Sequence, residues 1–360
     1  MKTVLLVSNV SSGLLNFRRE LIEELVKENK VVILAKNTGG VEECKAKGCE
    51  FHEFFMDTHG TNPIREFKLL SAYKKEIKNI SPDVVLTYTI KPNVYAGMAC
   101  ASLGIPYIAN ITGLGTAVES SGMMQKITLP LYKYGLRKAK KVFFQNQANL
   151  DFMLSHKAIK SEYELIPGSG VNLERFPLLD YPEGDNVSFV FIARIMKEKG
   201  IDQYLEAAKY IKAKYPQTVF HVCGNCSDEG YAKLLKELND NGTIIYHGKI
   251  SDVVGMHKVS CCTIHPTYYP EGMSNVLLES CACGRPIITT DRPGCREIVD
   301  DGVNGFIVKQ KDSHDLIEKI ENFLSLSSEE RKNMGIAGRK KVENEFDRNI
   351  VTQKYLEAIG

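Results

Sequence analysis

Short apolar runs rich in β-branched residues alternate with longer amphipathic ones along this 360-residue chain, and the pattern starts over half-way. In the first half "KTVLLVS", "KVVILAK", "FHEFFM", "DVVLTYT", "PYIANIT" and "KVFFQN" have the length and composition of strands. Between them Phe17 to Glu28, Pro63 to Ile80 and Val94 to Leu103 carry helical spacing. The second half restarts with "VSFVFIA", "TVFHVCG", "TIIYHG", "CTIHP" and "PIITTD", with helices such as Gln203 to Tyr215 and Tyr231 to Asn239. Alternation of this kind builds parallel sheets covered by helices on both faces, so two doubly wound, Rossmann-like α/β domains are expected. The Gly- and Pro-rich stretch Leu165 to Asp185 marks the joint. It divides the chain into a domain over 1–165, a linker over 166–184 and a domain over 185–340. The tail reads as helical from about Ser313, and 341–360 is expected to be a helix that crosses back to the first domain. Two such domains facing each other would form a cleft at the carboxyl ends of their strands, where open α/β sheets take ligands.

Several function classes fall away at this stage. A formal charge of +2 and a pI near 7.9 give no polycation character, which argues against nucleic acid as a partner. No apolar run reaches the ~18 residues a spanning helix needs. "MKTVLLVSNVSSG" leads straight into an amphipathic segment and reads as a first core strand rather than a signal peptide, which points to a cytoplasmic protein. The ten cysteines follow no disulfide spacing and read as reduced, mostly buried thiols. Cys223 and Cys226 form a lone C-x-x-C where a turn is needed, and Cys261-Cys262 lies within a strand.

The densest chemistry lies in "YYPEGMSNVLLESCACGRPIITTDRPG", Tyr268 to Gly294. Ser274 is placed as the N-cap of a helix "NVLLESCAC", with Glu271 just before the helix and Glu279 about one turn inside it. Backbone N–H groups of Gly272, Met273, Ser274 and Asn275, with the helix dipole, suit a phosphate. A carboxylate on either side can accept hydrogen bonds from sugar hydroxyls, as a nucleotide sugar would require. The plainer alternative is an exposed Glu279 and a Glu271 that only favours the dipole. Arg194 and Lys199 follow another strand, in "ARIMKEKG", where two cations can neutralise a diphosphate. Lys197 and Glu198 also allow a solvated loop there. After the first strand come Ser11, Ser12 and Gly13, a small-residue loop that is neither a dinucleotide fingerprint nor a P-loop.

Together "RIMKEKG", the E-x7-E of Glu271 and Glu279, "GRPIITTDRPGCREIVDDGVNGFIV" and "IPGSGVNLERF" resemble the retaining glycosyltransferases of family 4, which have the two-domain GT-B fold. "NFRREL", "HGTNP", "TYTIKPN" and "ANITGLGTA" are similar to bacterial enzymes of capsule, O-antigen and lipid-linked glycan assembly. The resemblance implies transfer of a sugar, an N-acetylhexosamine by analogy, from a UDP-sugar to a hydroxyl of a polyprenyl-diphosphate saccharide, with retention and without a metal. It gives Arg194, Lys199 and Glu271 catalytic roles. Arg194 and Lys199 would grip the diphosphate, Glu279 the ribose, and Glu271 the transferred sugar. Gly272, Met273, Ser274 and Asn275 would lie along the donor, and Gly13 would pack on the diphosphate. An N-domain histidine common in that family is missing from "LTYTIKPN" and "ANITGLG". Thr89, Lys91, Asn110, Thr112 or His59 could stand in its place, and Asn16, Lys91, Asn110 and Thr112 are the candidate acceptor residues. Pro270 stands where relatives often carry a basic residue.

The stretch 122–141 mixes apolar side chains with Lys126, Lys133, Arg137, Lys138, Lys140 and Lys141, and suits the inner face of a cytoplasmic membrane as well as it suits a core-packed helix with a basic face. Pro130 is expected to kink or split any helix there. The competing readings are a nucleotide-sugar epimerase of the same fold and a non-catalytic partner protein.

Overall fold

A computed structural model describes residues 1–55, 62–115, 118, 122–184 and 186–360. The chain forms two compact units, Met1–Gly170 with Arg348–Gly360, and Val171–Asp347.

In the first unit the described strands are β1 (Thr3–Val10), β2 (Lys30–Lys36), β3 (Glu50–Glu53), β4 (Val84–Tyr88), β5 (Tyr107–Ile111), β6 (Lys141–Phe144) and β7 (Glu162–Leu165). They form one parallel sheet in the order β3-β2-β1-β4-β5-β6-β7. Strand pleating sends Leu5, Val7, Val32 and Leu34 into one core and Val4, Leu6, Val31 and Ile33 into another, on the opposite face. The helices are α1 (Ser11–Glu28), α2 (Val41–Ala46), α3 (Pro63–Ile80), α4 (Gly97–Leu103), α5 (Met123–Leu136) and α6 (Gln147–Ser155), with a wide helical turn, Pro92–Ala96, leading into α4. Strand β7, "EYEL", escapes the sequence reading because an edge strand need bury little, and three of its four residues are exposed.

Two local expectations are corrected. Ser11, Ser12 and Gly13 belong to the first turn of α1 rather than to a loop. The Ser11 hydroxyl donates to Gly39 O at 2.8 Å and accepts from Thr38 N at 3.0 Å, which holds that turn to the loop after β2. The helix is interrupted at Arg18 (φ −137°, ψ 18°), whose guanidinium is buried over the rings of Tyr88 and Tyr355. Nor does Pro130 split its helix, since α5 runs through it to Leu136.

The second unit holds β8 (Ser188–Ile192), β9 (Val219–Cys223), β10 (Ile245–Gly248), β11 (Cys262–His265), β12 (Ile287–Thr290) and β13 (Gly305–Val308), parallel and in the order β10-β9-β8-β11-β12-β13. Its helices are α7 (Ile201–Lys214), α8 (Glu229–Asp240), α9 (Val253–Val259), α10 (Asn275–Ala282), α11 (Ser313–Ser325) and α12 (Ser328–Glu345). Ser327 and Glu330 close a capping box on α12, so residues 341–345 finish this helix within the second unit. The segment that returns to the first unit is α13 (Arg348–Ile359). There Arg348 binds the Glu20 carboxylate at 3.0 and 3.1 Å and donates to Gly170 O, while Val351, Tyr355 and Ile359 enter the core with α1.

Arg285 is fully buried and donates to the carbonyls of His257 (2.7 Å), Leu179 (3.3 Å), Asp180 (2.6 Å), Cys283 (3.2 Å) and Gly284 (3.4 Å). Replacing it by Leu leaves those buried acceptors without donors, so Arg285→Leu is expected to destabilise the second unit by about 3–5 kcal/mol. Denaturant titration followed by hydrogen exchange in α9 and α10 checks this, and a loss under 1 kcal/mol would refute the clamp.

Candidate functional site

The order of the second sheet reverses between β8 and β11, the place where doubly wound sheets leave an opening for ligands. The two loops leaving these strands are tied together by backbone. Tyr268 N donates to Glu198 O at 2.9 Å, and the Thr267 hydroxyl donates to the same carbonyl at 3.2 Å. From the far side the Thr290 hydroxyl at the end of β12 donates to Thr267 O at 2.5 Å. Gly200 closes the first loop with φ 79°, and a Cβ there would stand 2.2 Å from Pro266 O. Only glycine fits.

These constraints collect the charged side chains. Lys199 and Glu271 form an ion pair, and both are largely buried. Arg194, which is exposed, and Lys199 lie over the ring of Tyr269, with Cζ and Nζ at 5.7 and 4.9 Å from its centroid. The ring thus neighbours both cations without cancelling their charge. His265, the last residue of β11, is fully buried with Nε2 3.9 Å from Glu271 Oε1. Burial keeps this imidazole neutral, pulling its pKa below the ordinary value. Desolvation pushes the Glu271 carboxyl up, the neighbouring His265 and Lys199 pull it down by more, and it settles at about 2.

The loop from Glu271 to Ser274 is fastened to the segment after β12. Ser274 N donates to Gly294 O at 2.8 Å, and Gly294 has φ 88°. A Cβ on Gly294 would meet Gly272 O at 2.8 Å and Glu271 Cβ at 3.0 Å, which gives "DRPG" its physical reason. Ser274 stands at the N-cap of α10, as its sequence position suggests, but its side chain makes no capping hydrogen bond. Asn275 Oδ1 is buried and lacks a hydrogen-bond partner. Glu279 lies one turn along from Asn275 on the same side of α10, partly exposed. The Met273 side chain packs into the core beneath α10, so only its backbone faces a ligand.

The structure therefore brings Arg194, Lys199, Glu271, Gly272, Ser274 and Asn275 into one region, with Glu279 a turn further on. The residue missed by sequence is His265. Its position at the carboxyl end of a strand was a usable signal, obscured because "CTIHP" reads as plain core.

The remaining candidates lie in the first unit. Gly13 lies in the first turn of α1, where a Cβ would meet only Val10 Cγ2 at 3.4 Å, an ordinary contact. Asn16 is exposed on α1, and its carbonyl accepts from Arg348 at 3.4 Å. Thr89, with φ 71°, and Lys91 follow β4, and Lys91 Nζ binds Glu66 Oε1 at 2.7 Å. Asn110, the residue before the last of β5, is buried with neither side-chain amide atom hydrogen-bonded, and Thr112 follows the strand half-buried. His59 lies outside the described residues. Among those described, no cluster of three or more His, Cys, Asp or Glu could hold a metal, and the cysteines are free thiols.

The family profile described as "Glycosyl transferases group 1" matches residues 180–341, and "Glycosyl transferase 4-like" matches 3–146. The chain is a glycosyltransferase. Among curated proteins, this glycosyltransferase is 25% identical to the N,N'-diacetylbacillosaminyl-diphospho-undecaprenol alpha-1,3-N-acetylgalactosaminyltransferase of Campylobacter jejuni, over 98% of this chain and 96% of that one. It is 33% identical to the capsular polysaccharide biosynthesis glycosyltransferase CapM of Staphylococcus aureus, over 47% of this chain and 45% of the relative. Its fold, GT-B, matches a glycosyltransferase from Rickettsia africae with a TM-score of 0.82 at 20% identity, covering 99% of this chain and 97% of that one. Anabaena HepE, solved with UDP and glucose, matches with a TM-score of 0.80 at 15% identity, covering 100% and 99%.

The Glu271 carboxyl falls from the ordinary 4.5 to about 2 on folding, so the stability it contributes is complete above pH 4.5 and is lost as pH falls through about 2. The loss is on the order of 3 kcal/mol. Stability of the second unit measured from pH 5 to pH 2 is expected to show this acid limb, and Glu271→Gln to flatten it. An equally steep limb in the variant would mean that other carboxylates govern it.

Proposed function

We propose that this glycosyltransferase moves an N-acetylhexosamine from a UDP-sugar, with retention, to a hydroxyl of a polyprenyl-diphosphate saccharide in surface-glycan biosynthesis. The observation that carries this reading is the pairing of Arg194 and Lys199 over Tyr269, beside Glu271 and the start of α10. Two cations and a row of backbone N–H groups suit a leaving diphosphate, whose developing charge is the chief electrostatic task of the transfer. Lys199 already neutralises Glu271, so a diphosphate entering there would compete for the same ammonium. Glu271, held ionised, then accepts from hydroxyls of the transferred sugar and stabilises its oxocarbenium-like charge. Glu279 accepts from the ribose hydroxyls. The departing phosphate takes the acceptor proton on the same face of the sugar, which gives retention.

The Campylobacter relative supplies the lipid-diphosphate acceptor and the N-acetylhexosamine, and the HepE complex supplies UDP. The first unit is assigned the acceptor, through Asn16, Lys91, Asn110 and Thr112. Gly13 is assigned to close approach of the donor, because the first unit itself has room for a side chain there. No metal is assigned a role. Such an enzyme works at the inner face of the cytoplasmic membrane, and α5 offers Met124, Ile127 and Tyr134 exposed among Lys126 and Lys133.

Transfer assays with UDP-N-acetylhexosamines and a prenyl-diphosphate saccharide, with and without a chelator, test the reading, and the expected rate is the same in both. Glu279→Ala is expected to weaken UDP about tenfold, whereas Glu271→Gln slows transfer at least 100-fold with UDP affinity within about twofold. Equal loss of UDP affinity in both variants would remove that division of roles. Gly13→Ala, which adds helix propensity, should leave thermal stability unchanged or raised by up to about 1 kcal/mol while lowering activity. Unaltered kinetics would take Gly13 out of the site.

A further inference from the structure

The transfer as described gives His265 no task, yet its placement is a costly one. The residue is 2% exposed, and neither ring nitrogen has a hydrogen-bond partner. An imidazole that leaves water without gaining a partner is disfavoured, so a fold that keeps one there points to a partner gained in another state. The strand end holds the ring still. His265 pairs with Thr289 of β12, whose hydroxyl donates to His265 O at 2.8 Å, and the Phe191 ring packs beside the imidazole with centroids 6.4 Å apart. The acceptor in front of it is Glu271, whose Oε1 stands 3.9 Å from Nε2, about 1 Å beyond hydrogen-bond length. The carboxylate is turned to Lys199 instead.

Lys199 cannot serve two anions equally. A diphosphate beside it competes with Glu271 for the same ammonium, and a buried carboxylate next to an arriving anion becomes harder to keep ionised. We propose that His265 is a positioning residue for Glu271: as the donor diphosphate draws Lys199 off, the His265 Nε2–H takes up the carboxylate and keeps it aimed at the transferred sugar. The inference rests on the UDP-sugar reading and deepens it, by giving the carboxylate a partner for the loaded state. A neutral imidazole suits this task, because it donates a hydrogen bond without adding a cation that would compete for the diphosphate. The ring is fixed on the sheet, so side-chain torsions of Glu271 close the gap. Other titratable groups nearby leave the role open. Cys295, after β12, is a buried thiol pushed up to about 12 and stays neutral. The Glu297 carboxylate accepts from Gly294 N at 2.7 Å, Glu279 is an acid one turn inside α10, and Arg194 lies exposed over Tyr269.

The test is a pH titration of the Glu271 carboxyl carbon by NMR in the full chain, assigned with Glu271→Gln, with and without UDP. Lys199→Met imitates the withdrawn lysine in the absence of any ligand. In that variant, and in UDP-saturated wild type, Glu271 is expected to titrate at or below the ordinary carboxylate range. Adding His265→Leu should raise it by about one pH unit or more, whereas His265→Gln, which keeps an N–H donor at similar reach, should leave it low. In transfer assays His265→Leu should cut kcat about 30-fold with UDP affinity within about twofold. It should also move the acid limb of kcat to higher pH, because a carboxyl with a raised pKa is protonated sooner as pH falls, and His265→Gln should restore both. A histidine that only packs would lower stability without moving that limb. Should His265→Leu fail to fold, His265→Asn, whose amide is too short to reach the carboxylate, carries the same expectation. The proposal is overturned if the Leu or Asn substitution leaves the Glu271 titration in Lys199→Met unmoved. It is equally overturned if His265→Gln, unfolding at the wild-type temperature, raises that titration as Leu does. Wild type that binds no UDP would refute the donor reading, while the Lys199→Met series, which needs no ligand, still decides whether His265 holds Glu271.

Discussion

A guanidinium buried among backbone carbonyls anchors the second unit. Arg285 gathers the chain entering from Leu179 and Asp180, the end of α9 at His257, and the end of α10 at Cys283 and Gly284. Desolvation alone disfavours such a charge, and its pKa is lowered accordingly, so the hydrogen bonds must carry the arrangement. Because Arg285 lies between α10 and β12, the clamp fixes where the helix ends and the strand begins. The loop holding Glu271 enters α10 at one side, and Gly294 follows β12 at the other. The charged site is thus held from beneath by a cation that never meets the ligand.

The fold was legible because its pattern is coarse. Parallel strands buried on both faces read as continuous apolar runs, and β1, β2, β4 and β5 do so. The exceptions are two four-residue edge strands: β7 has little apolar surface to announce it, and the apolar run of β13, 306–308, is too short to stand out. The start of α1 was hidden differently. "SSG" carries turn chemistry, yet Ser11 spends its hydroxyl on the loop after β2 and lets the helix begin there.

The site was legible in its charged residues and not in their pairing. Arg194, Lys199 and Glu271 stand out by type and by their place in loops that leave strands, and Glu279 by its place inside α10. That Lys199 would choose Glu271, across 72 positions, depends on the close approach allowed by Gly200 and Gly294, which spacing does not encode. His265 was illegible for the opposite reason. Its neutrality comes from burial, and burial made its neighbourhood look like ordinary core.

The return of α13 makes the first unit discontinuous, with the whole of Val171–Asp347 lying between its two pieces. Synthesis proceeds from the N-terminus, so the portion of the chain made first is the portion completed last. Until Tyr355 arrives, the Arg18 guanidinium and Tyr88 lack one ring of their cluster, and Phe143 lacks the edge-on partner 4.8 Å away. The intervening unit, closed upon itself by Arg285, can fold in the meantime. A nascent chain would therefore carry a finished second unit and a first unit with an open groove beside α1, a state that offers apolar surface to chaperones until the final turns are released.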